Sequence, residues 1–297
     1  MSAHAESARL IEVYLPNGGD LVTIAEAYFD ESYEDDGPRV LCVAGYVFRK
    51  SKALEFGKTW SAYLRAKGLP YFHANECAHA CGVFEGRDDT DQIARRLIAL
   101  TKEKADFGVA VAVDRNAFAE VFTDTKIVWP SPYAFALTNC LYSMAHWRME
   151  MHRTSPTAFF FEQGHEHADD AHRYLRFLLK SDDFAPRLGY HSHGFVPKVT
   201  PQVQPADLLA WLWRLQYSRV LSKSTRPWRA DLTAMKRPRD RLTYFGKAEL
   251  EYFKSNIRAE QDGADAILRD VGRQMGLPEW ALKDIEEYRP DYRTTTL

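Results

Sequence analysis

No stretch of the 297-residue sequence approaches the roughly 18 consecutive apolar residues needed to cross a bilayer. The first residues, Met-Ser-Ala-His-Ala-Glu-Ser, lack the basic segment and apolar run of an export signal. Together these absences exclude a helical membrane protein and point to the cytoplasm. Cysteine is scarce: Cys42, Cys77, Cys81 and Cys140 are the only four, and without an export signal they read as free thiols rather than disulfides. No two of them form a tight Cys-x-x-Cys pair, and no repeat or low-complexity tract is present. The net charge of -2 gives no overall basic signal for nucleic acid.

What is present is an ordinary globular composition with an uneven charge distribution. A hydrophobic share of 45% and an aromatic share of 13% are enough to build a buried core. From Met1 to Asp36 nine acids face only Arg9, whereas from Arg214 to Lys247 ten lysines and arginines face only Asp231 and Asp240. The basic stretch has two open readings, a surface that neutralises phosphates and a solvated helix and loop.

Periodicity and breakers organise the chain as an α/β protein. Residues 1–20 form a leading segment closed by Pro16, Asn17, Gly18 and Gly19. Residues 21–222 carry the strands and long helices, and 223–297 read as a basic loop and a helical C-terminal extension packed on the same domain. Ala25 to Ser32 and Val40 to Phe48 read as two strands around an acidic turn. Helices are expected over Ser51–Lys67, Asp88–Lys104, Asn116–Phe122, Tyr133–Met151 and His165–Leu179, and from Pro205 onward. Strands are expected over Asp106–Val113, Thr157–Phe161 and Phe195–Thr200. In the extension, helices are expected near Lys247–Gln261, Ala264–Met275 and Glu279–Glu287.

Three acids fall at the ends of elements. Asp30 closes the first strand with Glu31 beside it, Glu162 closes the aromatic run Thr157 to Phe161, and Asp207 lies in the first turn of an apolar helix. Each has a plain explanation: a turn residue, a solvated strand end, an acid complementing a helix dipole. Each also suits a hard divalent cation, because Mg²⁺ and its like prefer oxygen ligands and are held by a few carboxylates. Two such ions about 3.5–4 Å apart can stabilise the attacking and leaving oxygens of a phosphodiester displacement.

The segment Tyr71 to Gly86 concentrates His73, Glu76, Cys77, His79 and Cys81. On a continuous helix His73, Cys77 and Cys81 share a face, which admits a zinc site. Packing of small buried thiols is the preferred reading, since a second ligand pair is missing downstream. His73 has two readings, a near-neutral base with Glu76 assisting, or a loop histidine bonded to backbone.

Three stretches resemble the family catalogued as domain of unknown function 3800. They are Phe29-Asp30-Glu31-Ser32 with the strand Val40 to Phe48, Tyr71-Phe72-His73 with the later Gly82-Val83-Phe84, and Gln204-Pro205-Ala206-Asp207-Leu208-Leu209-Ala210. The resemblance runs from about Tyr28 to about Phe253. It implies an RNase H-like mixed sheet flanked by helices, with metal-binding acids at the first strand, the fourth strand and the last core helix. Those positions are Asp30, Glu162 and Asp207, supported by Glu31, His73 and Gln204. The implied function is a Mg²⁺- or Mn²⁺-dependent nuclease or phosphodiester hydrolase that uses a metal-activated water on DNA or RNA. The alternative is a non-catalytic RNase H-like module that binds nucleic acid or regulates.

Overall fold

The computed structural model describes residues 24–33, 40–122, 131–163, Leu175 and 184–256. The leading segment 1–20, the expected helices Ala264–Met275 and Glu279–Glu287, and all of His165–Leu179 except Leu175 lie outside the described residues. The chain divides into two compact units, residues 1–113 with 130–244, and residues 114–129 with 245–297.

The first unit is built on a six-stranded sheet in the order β5-β4-β1-β2-β3-β6. The strands are β1 (Ala25–Ser32), β2 (Val40–Arg49), β3 (Phe107–Asp114), β4 (Thr157–Glu162), β5 (Tyr190–Val196) and β6 (Arg241–Phe245). β1 is antiparallel to β2 and parallel to β4, and β4 is parallel to β5. This is an α/β fold with a mixed sheet flanked by helices, the architecture the sequence implies. Both faces of its centre are covered, so β2 and β3 are continuous apolar runs instead of alternating ones.

Residues of β1 and β2 with even numbers, Tyr28, Cys42, Ala44, Tyr46 and Phe48, join one core cluster. Into it pack Phe56 and Trp60 of α1 (Lys50–Ala66), Ile93 and Leu97 of α3 (Thr90–Lys104), and Leu208 and Leu212 of α7 (Gln204–Leu221). The opposite face of β2 meets α5 (Pro132–Glu150), whose first turn is fixed by Pro132 and by Ser131 Oγ accepting the Ala134 N–H at 3.1 Å. At Gly45, paired with Phe29, an added Cβ would meet the Phe29 ring at 2.5 Å. Glycine is therefore the residue that lets the first strand pair close there.

Two expectations are corrected. The strand expected over Phe195–Thr200 runs from Tyr190 to Val196, and residues beyond it turn toward α7. His191 is exposed and Ser192, His193 and Gly194 are half-buried, a run that carries no apolar periodicity. β6 lies inside what reads as a basic loop, because this last strand of the sheet is only partly buried and its composition is not that of a core strand.

Smaller elements complete the first unit: α2 (Ala74–His79), a 3₁₀ turn (Gly82–Phe84), α6 (Phe184–Leu188) and α8 (Ala230–Met235). In the second unit, α4 (Arg115–Phe122) and the helix over 247–256 are joined by an ion pair between Lys247 and Glu120, and Leu250 is fully buried. Among the described residues no helix is long and apolar enough to cross a membrane.

Candidate functional site

The site is assembled by strand register. β1 and β4 are parallel with Phe29 opposite Phe161, so one step further Asp30 comes beside Glu162. Side chains alternate along a strand, and the stacking of Tyr28 on Phe160 at 4.9 Å fixes which residues share a face. Asp30 and Glu162, each two positions on, therefore emerge on that same face at the carboxyl ends of their strands. α7 packs across β1 and β2 on this side and delivers Asp207 from its first turn.

The spacing of Gln204 and Asp207 on α7 grips the segment that carries His73. Gln204 Oε1 accepts the Phe72 N–H at 2.9 Å and the Trp60 indole N–H at 2.7 Å. Asp207 Oδ2 accepts the Ala74 N–H at 2.7 Å. With the backbone pinned on either side, the His73 ring is held between two acids: Nδ1 lies 3.0 Å from Glu76 Oε1, and Nε2 lies 4.0 Å from Asp207 Oδ1. Glu76 is fixed in turn by the Tyr71 hydroxyl at 3.3 Å and the Val83 N–H at 3.2 Å, and Gly82 leaves room for its carboxylate. His73 thus makes a side-chain dyad, in place of the backbone bond of the plainer reading.

Burial of the three acids in one another's field disfavours their charge. Asp30 is pushed well up by desolvation first, then by Glu162, Asp207 and Glu31, against one N–H from Glu31 at 2.8 Å. Desolvation also raises Glu162, and a hydrogen bond from the Asp30 carboxyl offsets part of that rise. Asp207 is raised by desolvation and lowered in part by His73, the Ala74 N–H and Lys198. Glu31 adds negative potential, although strand alternation assigns it to the opposite face from Asp30.

Two further residues belong to the site: the sequence does not single out Lys198, and Arg214 reads there only as the start of the basic stretch. Lys198, in the turn between β5 and α7, holds its ammonium 3.7 Å from Glu76 and over the Tyr71 ring at 5.2 Å, and its charge also reaches Glu162 and Asp207. Arg214, two turns beyond Asp207 on α7, is buried and donates to Ser32 Oγ at 3.0 Å. A lysine a few residues ahead of the Gln-Pro-Ala-Asp helix is the one cue that could have singled out Lys198.

The three carboxyls are all oxygen donors, the type a hard divalent cation takes, and burial first, then the neighbouring carboxylates, suppresses their charge. Among the described residues no group of three or more His, Cys, Asp or Glu side chains is arranged so that it could hold a metal ion, so the three carboxyls match a hard cation in donor type only. The zinc alternative meets a geometric obstacle. α2 ends at His79 and Ala80 takes a left-handed conformation (φ 47°), so Cys81 leaves the face that bears Cys77. Cys77 is buried with its thiol toward the Thr90 carbonyl at 3.6 Å, and Cys81 is exposed.

No family model matches the chain, and no curated protein does. Among solved structures, the chain is similar to Bst-RNase HIII in complex with Mn²⁺, with 14% identity and a TM-score of 0.41, covering 78% of this chain and 66%, just under two thirds, of that one. It is also similar to RNase HII of Archaeoglobus fulgidus from its complex with PCNA, with 10% identity and a TM-score of 0.36, covering 72% of this chain and 82% of that one. At these scores neither likeness bears on the site, whose description rests on the register and the carboxyls themselves.

Proposed function

We propose that the chain is a cytoplasmic, divalent-metal-dependent nuclease or related phosphodiester hydrolase of the family it resembles, domain of unknown function 3800. The observation that carries this reading is the meeting of Asp30, Glu162 and Asp207, three acids from elements far apart in the chain, on one face at the strand ends. Buried acids that raise one another's pKa are costly to keep unless a cation is meant to lie among them. Mg²⁺ or Mn²⁺ would be held by these three, and when bound would supply charge neutralisation and a nucleophilic water for phosphodiester cleavage. His73, oriented by Glu76, stands where it can move a proton to or from the reacting oxygens. Lys198 offers a positive charge at the rim for a phosphate.

The test is cleavage of labelled DNA, RNA and hybrid strands by purified protein with Mg²⁺ or Mn²⁺, alongside calorimetric titration of Mn²⁺. The expected result is cleavage that disappears in Asp30→Asn and Asp207→Asn together with Mn²⁺ affinity. Absence of cutting on every substrate, with Mn²⁺ binding unchanged by Asp30→Asn, would overturn it. A second reading, a non-catalytic nucleic-acid-binding or regulatory module, is favoured by one observation: part of Asp207 is already committed to the Ala74 N–H. Strand binding without cutting would select that reading.

A further inference from the structure

The basic stretch after Arg214 carries an aromatic layer that the sequence pattern does not reveal. Trp213, Tyr217 and Val220 follow one another at helical spacing along α7 and form a stripe. On this stripe rest two aromatics that reach solvent. Trp228 sits 5.7 Å from Trp213 and is 49% exposed, and Tyr244 stacks on Tyr217 at 4.8 Å and is 39% exposed. Trp213 joins the two, since its indole N–H donates to the carbonyl of Thr243 at 2.8 Å.

The loop presenting Trp228 is held in place. Arg219 Nη1 donates to the Pro227 carbonyl at 3.4 Å, and Gln216 Oε1 accepts the Arg229 N–H at 3.3 Å. A half-exposed indole on a pinned loop is a platform set before any ligand arrives, which lowers the ordering cost of binding.

Charge complementarity identifies the ligand. The acids of this stretch are already used: Asp231 by Arg229 at 2.7 Å and Asp240 by Arg237 at 2.8 Å. Arg219, Lys223, Arg226, Lys236 and Arg239 have no acidic partner among the described residues, and Lys236 Nζ lies 5.5 Å from the centre of the Trp228 ring. Flat aromatic faces flanked by surplus cations fit a polyanion that carries its own flat rings. Paired bases keep their faces inside the duplex, so the partner must offer unpaired ones.

We infer that Trp228 and Tyr244, with the cations around them, form a binding surface for single-stranded nucleic acid whose bases stack on the two rings. The surface shares α7 with Asp207, and Trp213 follows that acid by six residues, about 9 Å along the helix axis. Six residues also turn Trp213 about 120° around the axis from Asp207, so the platform lies beside the acid-bearing face and a bound strand would have to curve round α7 to meet the acids. The inference rests on the nucleic-acid reading proposed above and names the form of substrate.

The test uses the full chain carrying Asp30→Asn in EDTA, so that cutting cannot interfere, and fluorescence anisotropy of a labelled 20-nucleotide single strand and of its duplex. Trp228→Ala is expected to weaken single-strand binding about 10-fold, and Trp228→Phe to restore most of it. Arg226→Gln with Lys236→Gln is expected to flatten the salt dependence by a log–log slope of about 1–2, which Trp228→Ala leaves in place. Unchanged single-strand affinity in Trp228→Ala, or equal affinity for duplex and single strand, would overturn the inference. Cleavage by the wild-type protein with Trp228 immaterial to binding would remove this surface alone. Trp228-dependent binding without any cleavage would remove the nuclease reading alone.

Discussion

Asp240 and Asp30 are both buried aspartates of the first unit, and their surroundings differ in kind. Asp240 is enclosed by donors: Arg237 reaches it with Nε at 3.1 Å and Nη2 at 2.8 Å, the Arg237 N–H lies at 2.9 Å, and the Gly108 N–H at 2.7 Å. Asp30 has one N–H, and the other groups that set its charge are Glu162, Asp207 and Glu31. Burial alone therefore does not mark a functional acid. What separates the two is whether the fold supplies the compensating cation, as it does at Asp240, or leaves the acids to one another, as at Asp30.

The contrast can be broken in order of effect. Asp30→Asn is expected to lower metal-dependent cleavage more than about 100-fold, since it removes a group that would touch the ion itself. Steady-state rates across a Mn²⁺ titration would measure this. A smaller loss that excess Mn²⁺ restores would show Asp30 to be peripheral.

Arg237→Met should cost about 3–5 kcal/mol in urea unfolding, because it strands a buried aspartate whose partner has gone. Asp30→Asn should cost little or raise stability. If both variants lose stability equally, the distinction between the two acids fails.

The pH dependence follows from the raised carboxyls. A group whose pKa is higher in the folded state binds protons more tightly there, so its contribution is full at low pH and is lost as pH rises through the folded value. Without metal, stability should therefore fall as pH climbs above the ordinary aspartate value of 3.8, and Asp30→Asn should flatten that fall. Mn²⁺ should raise Tm by several degrees at pH 7.5 and less at pH 5, where protons compete for the same oxygens. A Tm that rises steadily from pH 4 to pH 8 without metal would contradict this assignment.

Glu76→Gln should slow cleavage about 10-fold by loosening the orientation of His73, with unfolding little changed. The smallest effect concerns the thiols. Burial pushes the Cys77 thiol up to about 12, and Cys42 and Cys140 are raised further by burial, while Cys81 is exposed. Native protein should react with a thiol reagent at Cys81 and only slowly elsewhere.

Much of the fold was legible because its elements are locally written. Apolar spacing over Leu97 and Ile98, and over Leu137, Leu141 and Met144, together with Pro205 at a helix start, places α3, α5 and α7 within one or two residues, Pro132 turning out to open α5 and not to belong to the loop before it. β5 and β6 were not legible: both are only partly buried, and their histidines, arginines and threonines hide the strand period. Asp30, Glu162 and Asp207 stood out as acids at element ends, and register brought them together. Lys198 and Trp228 did not stand out, because a lone lysine or tryptophan in a loop has no periodicity to betray its partner.

The sequence by itself determined the apolar central strands, the helices on either side of them, and the presence of carboxyls where strands stop. These depend on side-chain periodicity and on Pro and Gly, which act over a few residues. Only the tertiary structure decided that β4 lies parallel to β1 with Phe161 opposite Phe29, that Gln204 and Asp207 grip the backbone around His73, and that Asp240 has its arginine while Asp30 does not. The first two join residues more than a hundred positions apart, while Arg237 and Asp240 are three apart in a site that only the folded chain buries, and the energies involved, desolvation and charge pairing, depend on distances that exist only once the chain has closed.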